Sequence, residues 1–196
     1  MLAHYVAVVS LVILGATLVL YPIVGLWGGM PMRRFAVEIT PAQVVAASTQ
    51  SSLATLPAMI ECARDSLGVA PRVAHLVLPL AVAVFRYTSP LGNLAVCFFI
   101  AALYGYELGV LQMVSGVFVA FAVSIAAVGL PGQVSFIASV APICLALGLP
   151  VDLLGILIAV EMIPDVFRTI GNVTGDLAVT RLVGARAQPA AGSPSR

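Results

Sequence analysis

Several stretches of the sequence run for about 18 residues or more with almost no charged side chain, and the first covers residues 2–27. A helix of that length crosses the roughly 30 Å of hydrocarbon in a bilayer. Composition supports this interpretation, because 9% of the residues are charged, against about a quarter in soluble domains. The first stretch lacks the basic start of a secretory signal and exceeds its apolar region in length, so we interpret it as a mature helix. The sequence therefore predicts an integral membrane protein.

Several other classes of function have no support in the sequence. The net charge of +1 gives no indication of a nucleic-acid partner. The three cysteines, Cys62, Cys97 and Cys144, have neither paired spacing nor histidine neighbours, which favours packing over metal binding. The sequence has no His-Glu-x-x-His and no Gly-x-Ser-x-Gly motif. We therefore do not expect an enzyme.

The basic residues predict the orientation of the chain in the membrane. All nine are arginine, and seven lie in loops or near the C-terminus: Arg33, Arg34, Arg64, Arg72, Arg181, Arg186 and Arg196. The segments at 104–109 and 148–152 contain none. Arginine-rich loops stay on the cytoplasmic side. We therefore expect a multi-pass protein of the cell membrane with its C-terminus in the cytoplasm.

Apolar runs and helix breakers together predict five membrane segments. Three are spanning helices, at residues 2–27, 73–104 and 151–185, and two are interrupted, at 35–67 and 109–148. The expected division is a first helix with a cytoplasmic loop, a broken segment, a helix, a second broken segment, a substrate-binding helix and a disordered tail, at residues 1–32, 33–70, 71–108, 109–150, 151–186 and 187–196.

Each interrupted segment has two apolar arms that are too short to span a bilayer. Small, polar and proline residues separate the arms, at 48–57 in the first segment and 129–133 in the second. With its flanking loops on one side of the membrane, each segment must enter and leave by the same face, as a re-entrant helical hairpin. Irregular backbone at membrane depth is tolerated where it is buried in protein or lines a water-filled cavity. The two tips are therefore expected to mark a site.

A weak internal repeat links the two halves of the chain. Residues 84–86, Val-Phe-Arg, recur at 166–168, and residues 94–96, Leu-Ala-Val, recur at 177–179. Chance identity is an alternative explanation in an apolar sequence. The predicted topology favours a repeat, because the first hairpin opens to the cytoplasm and the second to the outside. A unit of hairpin plus helix, used twice in inverted orientation, is typical of secondary transporters.

The final predicted helix carries polar side chains within an apolar span. Their spacing places five of them on one face with a threonine beside it: Glu161, Asp165, Arg168, Asn172, Asp176 and Thr169. An ion at the bilayer centre costs about 2.5–3.5 kcal/mol on insertion scales, so such residues face a wet cavity or one another. A structural ion pair between Asp165 and Arg168 is the alternative interpretation, but it leaves the rest of the stripe unexplained.

The chemistry of this stripe suggests a ligand with charges of both signs. The guanidinium of Arg168 suits a carboxylate, and a nearby carboxylate suits an ammonium group. Together they describe an amino acid with a second carboxylate. Asp176 and Asn172 offer the oxygen ligands that hard cations prefer. Arg86, in the preceding predicted helix, either snorkels or bonds helix carbonyls, or it lies opposite these carboxylates.

Three motifs resemble the dicarboxylate/amino acid:cation symporter family, which is the family of the glutamate and aspartate transporters. Residues 49–57, Thr-Gln-Ser-Ser-Leu-Ala-Thr-Leu-Pro, resemble the tip of the family's first hairpin. Residues 128–132, Val-Gly-Leu-Pro-Gly, resemble the tip of its second hairpin, and residues 165–176, Asp-Val-Phe-Arg-Thr-Ile-Gly-Asn-Val-Thr-Gly-Asp, resemble its last-helix motif. The resemblance covers the C-terminal half of the family. It implies an all-α transport domain with three spanning helices and two re-entrant hairpins in inverted repeat.

The resemblance also implies roles for individual residues. Arg168 would bind the side-chain carboxylate of the substrate, Asp165 its amino group, and Asn172 and Thr169 its main-chain polar atoms. The backbone of the two tips would close over the ligand at Ser51, Ser52, Gly129, Pro131 and Gly132. Asp176 and Asn172 would hold a sodium ion. A carboxylate at position 165 favours aspartate or glutamate over dicarboxylates without an amine.

The chain departs from the family pattern in two respects. The family's Asn-Met-Asp-Gly-Thr motif falls on residues 85–89, Phe-Arg-Tyr-Thr-Ser, so its cation-binding Asn and Asp are replaced and Arg86 lies within the motif. We also expect that the family's first five helices, which build a trimeric scaffold, have no counterpart in this chain. We therefore expect a partial member of the family, which forms a homotrimer if that scaffold is supplied.

The expected function is secondary active transport of aspartate, glutamate or a related dicarboxylate, by the elevator-like movement that the resemblance implies. The coupling ion is a sodium ion or a proton, and no other cofactor is expected. A proton-coupled or uncoupled carrier of the same substrates is one alternative, and a non-transporting membrane fragment that associates with full-length relatives is another. In one hypothesis, Arg86 neutralises Asp176 as sodium does elsewhere in the family, and transport is independent of sodium.

Overall fold

The structure, a computed structural model, describes residues 1–126 and 132–187. These residues form no strand and nine α-helices: α1 (Leu2–Trp27), α2 (Met32–Thr49), α3 (Ser52–Glu61), α4 (Pro71–Val84), α5 (Thr88–Tyr104), α6 (Val110–Ala126), α7 (Gly132–Leu147), α8 (Leu154–Leu157) and α9 (Met162–Ala187). A π-helical turn, Cys62–Ser66, continues α3. The expected all-α fold is confirmed for this part of the chain.

α1 has one buried face and one exposed face. Its buried side chains recur every three or four residues: Tyr5, Val9, Ile13, Thr17, Leu20 and Val24. The opposite face exposes large apolar side chains, including Leu11 and Leu18. An exposed apolar face of this extent is favourable in lipid and unfavourable in water. With a mean hydropathy of 2.4 over its most apolar part, α1 is long and apolar enough to cross a bilayer.

The segment that was expected to form one helix over residues 73–104 is divided. Residues 85–87 are irregular and separate α4 from α5. Pro90 explains the break, because proline lacks the N–H that would bond the carbonyl four residues earlier, and its ring would collide with that carbonyl. α4 and α5 taken together, Pro71–Tyr104, still have the length and hydropathy of a membrane span.

The last expected helix, residues 151–185, also differs from its prediction. Residues 158–161 form turns after the short helix α8, and α9 begins at Met162. Pro164 lies in the first turn of α9 and disfavours a continuation of the helix towards the N-terminus, for the same reason as Pro90. α9 is the central helix of the described residues, since it contacts α1, α2, α3, α4, α5 and α7.

Two pairs of consecutive helices pack side by side, α2 with α3 and α6 with α7. Gln50 ends α2 with a left-handed φ of 50°. Ser51 then caps α3, because its hydroxyl accepts a hydrogen bond of 3.2 Å from the Ala54 N–H. α6 and α7 approach closely at Gly116, where a Cβ atom would lie 2.5 Å from the side chain of Leu147.

The buried apolar side chains form two separate cores. One core combines the first half of α1 with α5, α6, α7 and α8, and it includes Tyr5 and Phe136. The other combines the second half of α1 with α2, α3, α4 and α9, and it includes Phe35 and Leu78. α1 passes from one core to the other at the buried Thr17. The polar residues of α5 and α9 meet α1 at this level.

Candidate functional site

The beginning of α5 and the first half of α9 bury a cluster of polar side chains against α1. The helices meet at Gly171, where a Cβ atom would lie 2.5 Å from atoms of both Thr17 and Thr88. Glycine therefore permits this close approach. The buried members of the cluster are Thr17, Thr88, Ser89, Asn93, Glu161, Arg168, Thr169, Asn172 and Asp176. Asp165 and Arg86 are half-buried at its edge.

Arg168 is held between two carboxylates. Its Nη2 lies 2.7 Å from Glu161 Oε1, and its Nη1 lies 3.3 Å from Asp165 Oδ1. Glu161 also accepts a hydrogen bond from the hydroxyl of Tyr5 in α1. Gly92 leaves room for the guanidinium, because a Cβ atom there would lie 3.1 Å from its Nε. The ion pair between Asp165 and Arg168 is present, and Glu161 adds a second negative charge.

The side chain of Asn172 forms hydrogen bonds with the first residues of α5, directly after the irregular segment between α4 and α5. Its Oδ1 accepts a hydrogen bond of 2.9 Å from the Thr88 N–H and lies 2.9 Å from the Thr88 hydroxyl. Its Nδ2 donates to the Ser89 hydroxyl over 2.9 Å. The amide thereby supplies partners for polar groups that the helix break leaves open. Asn172 therefore has a structural task in addition to any contact with a substrate or an ion.

Asp176 is buried, and its Oδ1 has no hydrogen-bond partner among the described residues. A buried carboxylate without a partner is costly unless a positive charge balances it. Arg86 is close enough to Asp165 and Asp176 to be attracted by both carboxylates, and it is repelled by Arg168, which is the largest of these three interactions. Within residues 1–126 and 132–187, no group of three or more His, Cys, Asp or Glu side chains could hold a metal ion. An ion at Asp176 would thus need amide, hydroxyl or backbone oxygens as further ligands.

A small cavity of about 20 Å³ lies beside the cluster. Its lining comes from α5, α6, α7, α9 and the segment before α5: Arg86, Ser89, Asn93, Ser124, Ser135, Ser139, Asp165 and Arg168. A space of this size holds about one water molecule. The structure therefore brings two arginines and a carboxylate to one point, in a space that admits an amino acid only if a neighbouring element moves.

The remaining predicted site residues have varied positions. Thr169 is buried, and its hydroxyl donates to the Asp165 carbonyl over 2.9 Å. Ser51 and Ser52 are half-buried at the junction of α2 and α3, away from the described lining of the small cavity. Gly132 is the first residue of α7. Gly129 and Pro131 lie outside the described residues.

Sequence reasoning missed several residues of this site. It assigned no role to Tyr5, which is 156 residues away from its partner Glu161. It also missed the serines that α6 and α7 contribute to the cavity. A signal was available for two of them, because Ser135 and Ser139 are four residues apart and share one face of α7.

Residues 1–186 match the model of the sodium:dicarboxylate symporter family. The chain belongs to this family. It is 35% identical to excitatory amino acid transporter 3 of Mus musculus over 150 residues, which cover 76% of the chain and 28% of that relative. It is 33% identical to excitatory amino acid transporter 4 of Rattus norvegicus over 184 residues, which cover 85% of the chain and 32% of that relative. The chain therefore spans about a third of the length of these relatives or less.

Membership of the sodium:dicarboxylate symporter family confirms the resemblance that the motifs indicated. The family consists of multi-pass membrane transporters for amino acids and dicarboxylates, so the chain belongs to a family of membrane transporters rather than of enzymes. Its exposed apolar helix faces agree with this environment.

Proposed function

We propose that this chain forms the substrate-binding part of a cation-coupled secondary transporter of aspartate, glutamate or a related dicarboxylate. The observation that carries the proposal is the buried guanidinium of Arg168, which lies between two carboxylates and lines a cavity. A fixed guanidinium binds a carboxylate through two parallel hydrogen bonds. The relatives that match the chain are excitatory amino acid transporters by name, which agrees with such a substrate.

The two carboxylates at Arg168 suggest how an acidic amino acid binds. Glu161 has a side chain that is 5% exposed and is also bonded by Tyr5, whereas the Asp165 side chain is 17% exposed. The ion pair of Arg168 with Asp165 is therefore easier to break than its ion pair with Glu161. The side-chain carboxylate of the substrate takes its place at Arg168, and Asp165 turns to the ammonium group of the substrate. Both members of the broken ion pair thereby gain a new partner of opposite charge, whereas an amine-free dicarboxylate would leave Asp165 without one.

The helix pairs α2–α3 and α6–α7 are proposed to be re-entrant hairpins in inverted repeat. Their side-by-side packing supports this proposal, as does the division of the apolar side chains into two cores that each contain one of the pairs. Binding sites of secondary transporters lie at such a repeat interface. The polar cluster of α5 and α9 meets α1 at Thr17, where α1 passes between the two cores, which supports such a position for the site. Movement of α7 would then open the small cavity.

Binding of acidic amino acids to the purified chain in detergent or nanodiscs tests the proposal. Calorimetric titration with aspartate, glutamate and succinate should give saturable binding, and Arg168→Ala should weaken aspartate binding about 30-fold or more. Arg72→Ala removes an exposed arginine outside the cluster and should leave the affinity unchanged. Undiminished aspartate binding by Arg168→Ala would contradict the assignment.

A folding control is needed, because Arg168→Ala leaves Glu161 buried without its cation. The double variant Glu161→Gln/Arg168→Gln removes both charges and keeps both side chains polar, with a shorter side chain at position 168. It should unfold near the temperature of the parent and still fail to bind aspartate. A double variant that is folded and binds normally would contradict the role of Arg168.

For the coupling ion, we propose that Arg86 supplies the positive charge that balances Asp176. The electrostatic interaction between these residues and the replaced family motif at 85–89 support this proposal. The rival is a sodium ion at the unpartnered Asp176 Oδ1, in keeping with the family description. Sodium is a hard cation that prefers several oxygen ligands, and Asp176 Oδ1 would supply one of them.

Sodium titration of substrate affinity separates the two proposals. If Arg86 balances Asp176, the aspartate affinity of the parent should be flat when choline replaces sodium. Arg86→Met should weaken binding about tenfold, because a buried charge pair then loses its cation. A steep sodium dependence of the parent, or an Arg86→Met variant with parental affinity, would favour sodium at Asp176.

A further inference from the structure

A second pocket, remote from the polar cluster, lies where α1 ends. It has a volume of about 290 Å³, is open to the surface, and is lined by the turn between α1 and α2, the turn before α4, and α9. Among its lining residues are Gly29, Arg34, Asp65, Leu67, Gly68 and Arg181. This volume is just below the range of small-molecule sites, about 300–1,000 Å³, and is large enough for a single headgroup.

Arg181 forms one wall of this pocket and is fixed by backbone atoms. Its Nη1 donates to the Leu67 carbonyl over 3.1 Å, and its Nη2 donates to the Gly29 carbonyl over 3.3 Å. The buried Nε has no hydrogen-bond partner among the described residues. No carboxylate among the described residues forms an ion pair with Arg181. Its positive charge is therefore held in place without a negative partner.

The other charged residues leave the pocket with an excess of positive charge. The Nε of Arg34 is 3.6 Å from Glu38 Oε1, which is too long for a hydrogen bond. Asp65 is the acidic residue of the lining, but Arg64 bonds both of its oxygens, at 2.6 and 2.9 Å. A ligand in the pocket thus meets two incompletely paired arginines and one carboxylate that is already paired.

The pocket lies at the level where a lipid headgroup would be. α1 ends immediately before it with two exposed apolar residues, Leu26 at 73% and Trp27 at 62% exposure. Tryptophan at the end of a spanning helix marks the boundary between acyl chains and headgroups. Arg33 and Arg34 follow at the start of α2, so positive charge begins where the apolar surface ends.

We propose that this pocket binds the phosphate group of an anionic phospholipid. Arginine guanidinium groups bind phosphate bidentately, and basic pockets between membrane helices bind anionic headgroups. The acyl chains would run along the exposed face of α1, beside Leu26 and Trp27. This inference is independent of the substrate assignment, because it concerns residues outside the polar cluster.

Trp27 provides a direct probe of this proposal, since it is the only tryptophan in the sequence. The full chain is reconstituted into phosphatidylcholine vesicles that contain brominated phosphatidylglycerol or, at the same mole fraction, brominated phosphatidylcholine. Bromine quenches tryptophan fluorescence on contact, so the ratio of the two quenching curves gives the preference for the anionic lipid. We expect a preference of about fivefold or more.

Neighbouring arginines supply a matched control. Arg34→Gln changes a residue of the lining and Arg33→Gln changes an exposed neighbour outside it, with the same loss of charge. Arg34→Gln and Arg181→Gln should lower the preference to about twofold or less, while Arg33→Gln should keep it. An equal loss in Arg33→Gln would show diffuse surface attraction and overturn the proposal, as would a parent without any preference. Because Arg34 is exposed, its variant tests the site even if Arg181→Gln fails to fold.

Titration with inorganic phosphate distinguishes a lipid headgroup from a soluble phosphate compound as the ligand of the pocket. The vesicles are titrated with phosphate, and with chloride at equal ionic strength. A lipid site should keep its preference for phosphatidylglycerol, because the headgroup is present at high local concentration. A preference that phosphate abolishes and chloride does not would assign the pocket to a soluble phosphate compound and overturn the lipid assignment.

Discussion

At the scale of single residues, Tyr5 and Glu161 show how a buried charge is accommodated. The Tyr5 hydroxyl donates to Glu161, which also pairs with Arg168. A buried carboxylate needs both partners, because each unsatisfied lone pair carries a desolvation penalty. Tyr5 therefore acts on the site through Glu161, and its effect should be visible in stability.

Tyr5→Phe should lower the free energy of unfolding by about 1–3 kcal/mol, because it leaves one Glu161 oxygen without its donor. Thermal unfolding in detergent, followed by circular dichroism, measures the effect. Tyr104→Phe is the matched control, since Tyr104 is 50% exposed and its variant should differ from the parent by less than about 0.5 kcal/mol. Identical midpoints for both variants would mean that the Tyr5 hydroxyl does not stabilise Glu161.

Asp165 should determine whether the substrate carries an amine. Asp165→Ser removes the carboxylate that is proposed to receive the ammonium group, so aspartate affinity should fall about tenfold or more while succinate affinity falls less. Competition binding with both ligands measures the ratio. Asp152→Ser removes an exposed carboxylate instead and should leave the ratio unchanged. If Asp165→Ser keeps the parental preference for aspartate, another group binds the amine.

At the scale of helices, Gly171 controls how closely α9 approaches α1 and α5. Gly171→Ala places a Cβ atom 2.5 Å from Thr17 and Thr88, so it should destabilise the protein by about 1–3 kcal/mol through overpacking. Gly15→Ala in α1 is the control, because no atom lies within 4 Å of the added Cβ. Since alanine is the better helix former, Gly15→Ala should unfold at or above the parental temperature. Equal stability of the two variants would contradict the close packing.

The helices show which features a sequence can reveal. The apolar runs correctly predicted that α1 and the helix pairs α2–α3 and α6–α7 are helical, because burial and lipid contact both select for hydrophobic residues. The break at residues 85–87 was missed although its cause, Pro90, is visible in the sequence. The spacing of α9 placed Asp165 and Arg168 on one face, and they form an ion pair. The contact between Tyr5 and Glu161 has no local signal, because it depends on the packing of α1 on α9.

At the scale of the whole molecule, the arginines predict the orientation in the membrane. The native cysteines are buried, so an introduced cysteine can be labelled selectively. Arg72→Cys alters an exposed residue in the first turn of α4, and Glu107→Cys alters an exposed residue between α5 and α6. In sealed cells, an impermeant maleimide should label Glu107→Cys from outside and Arg72→Cys only after the membrane is opened. Labelling of both from the same side would contradict the predicted topology.

The interactions of Asn172 have a consequence for the order in which the protein is made. The N–H of Thr88 and the hydroxyl of Ser89 bond to a side chain more than 80 positions later in the chain. Translation proceeds from the N-terminus, so α5 leaves the ribosome well before Asn172 exists. Until then, water, lipid headgroups or the insertion machinery must satisfy these groups. α9, on which most of the other described helices pack, is synthesised after all of them, and it completes the core that it shares with α1, α2, α3 and α4.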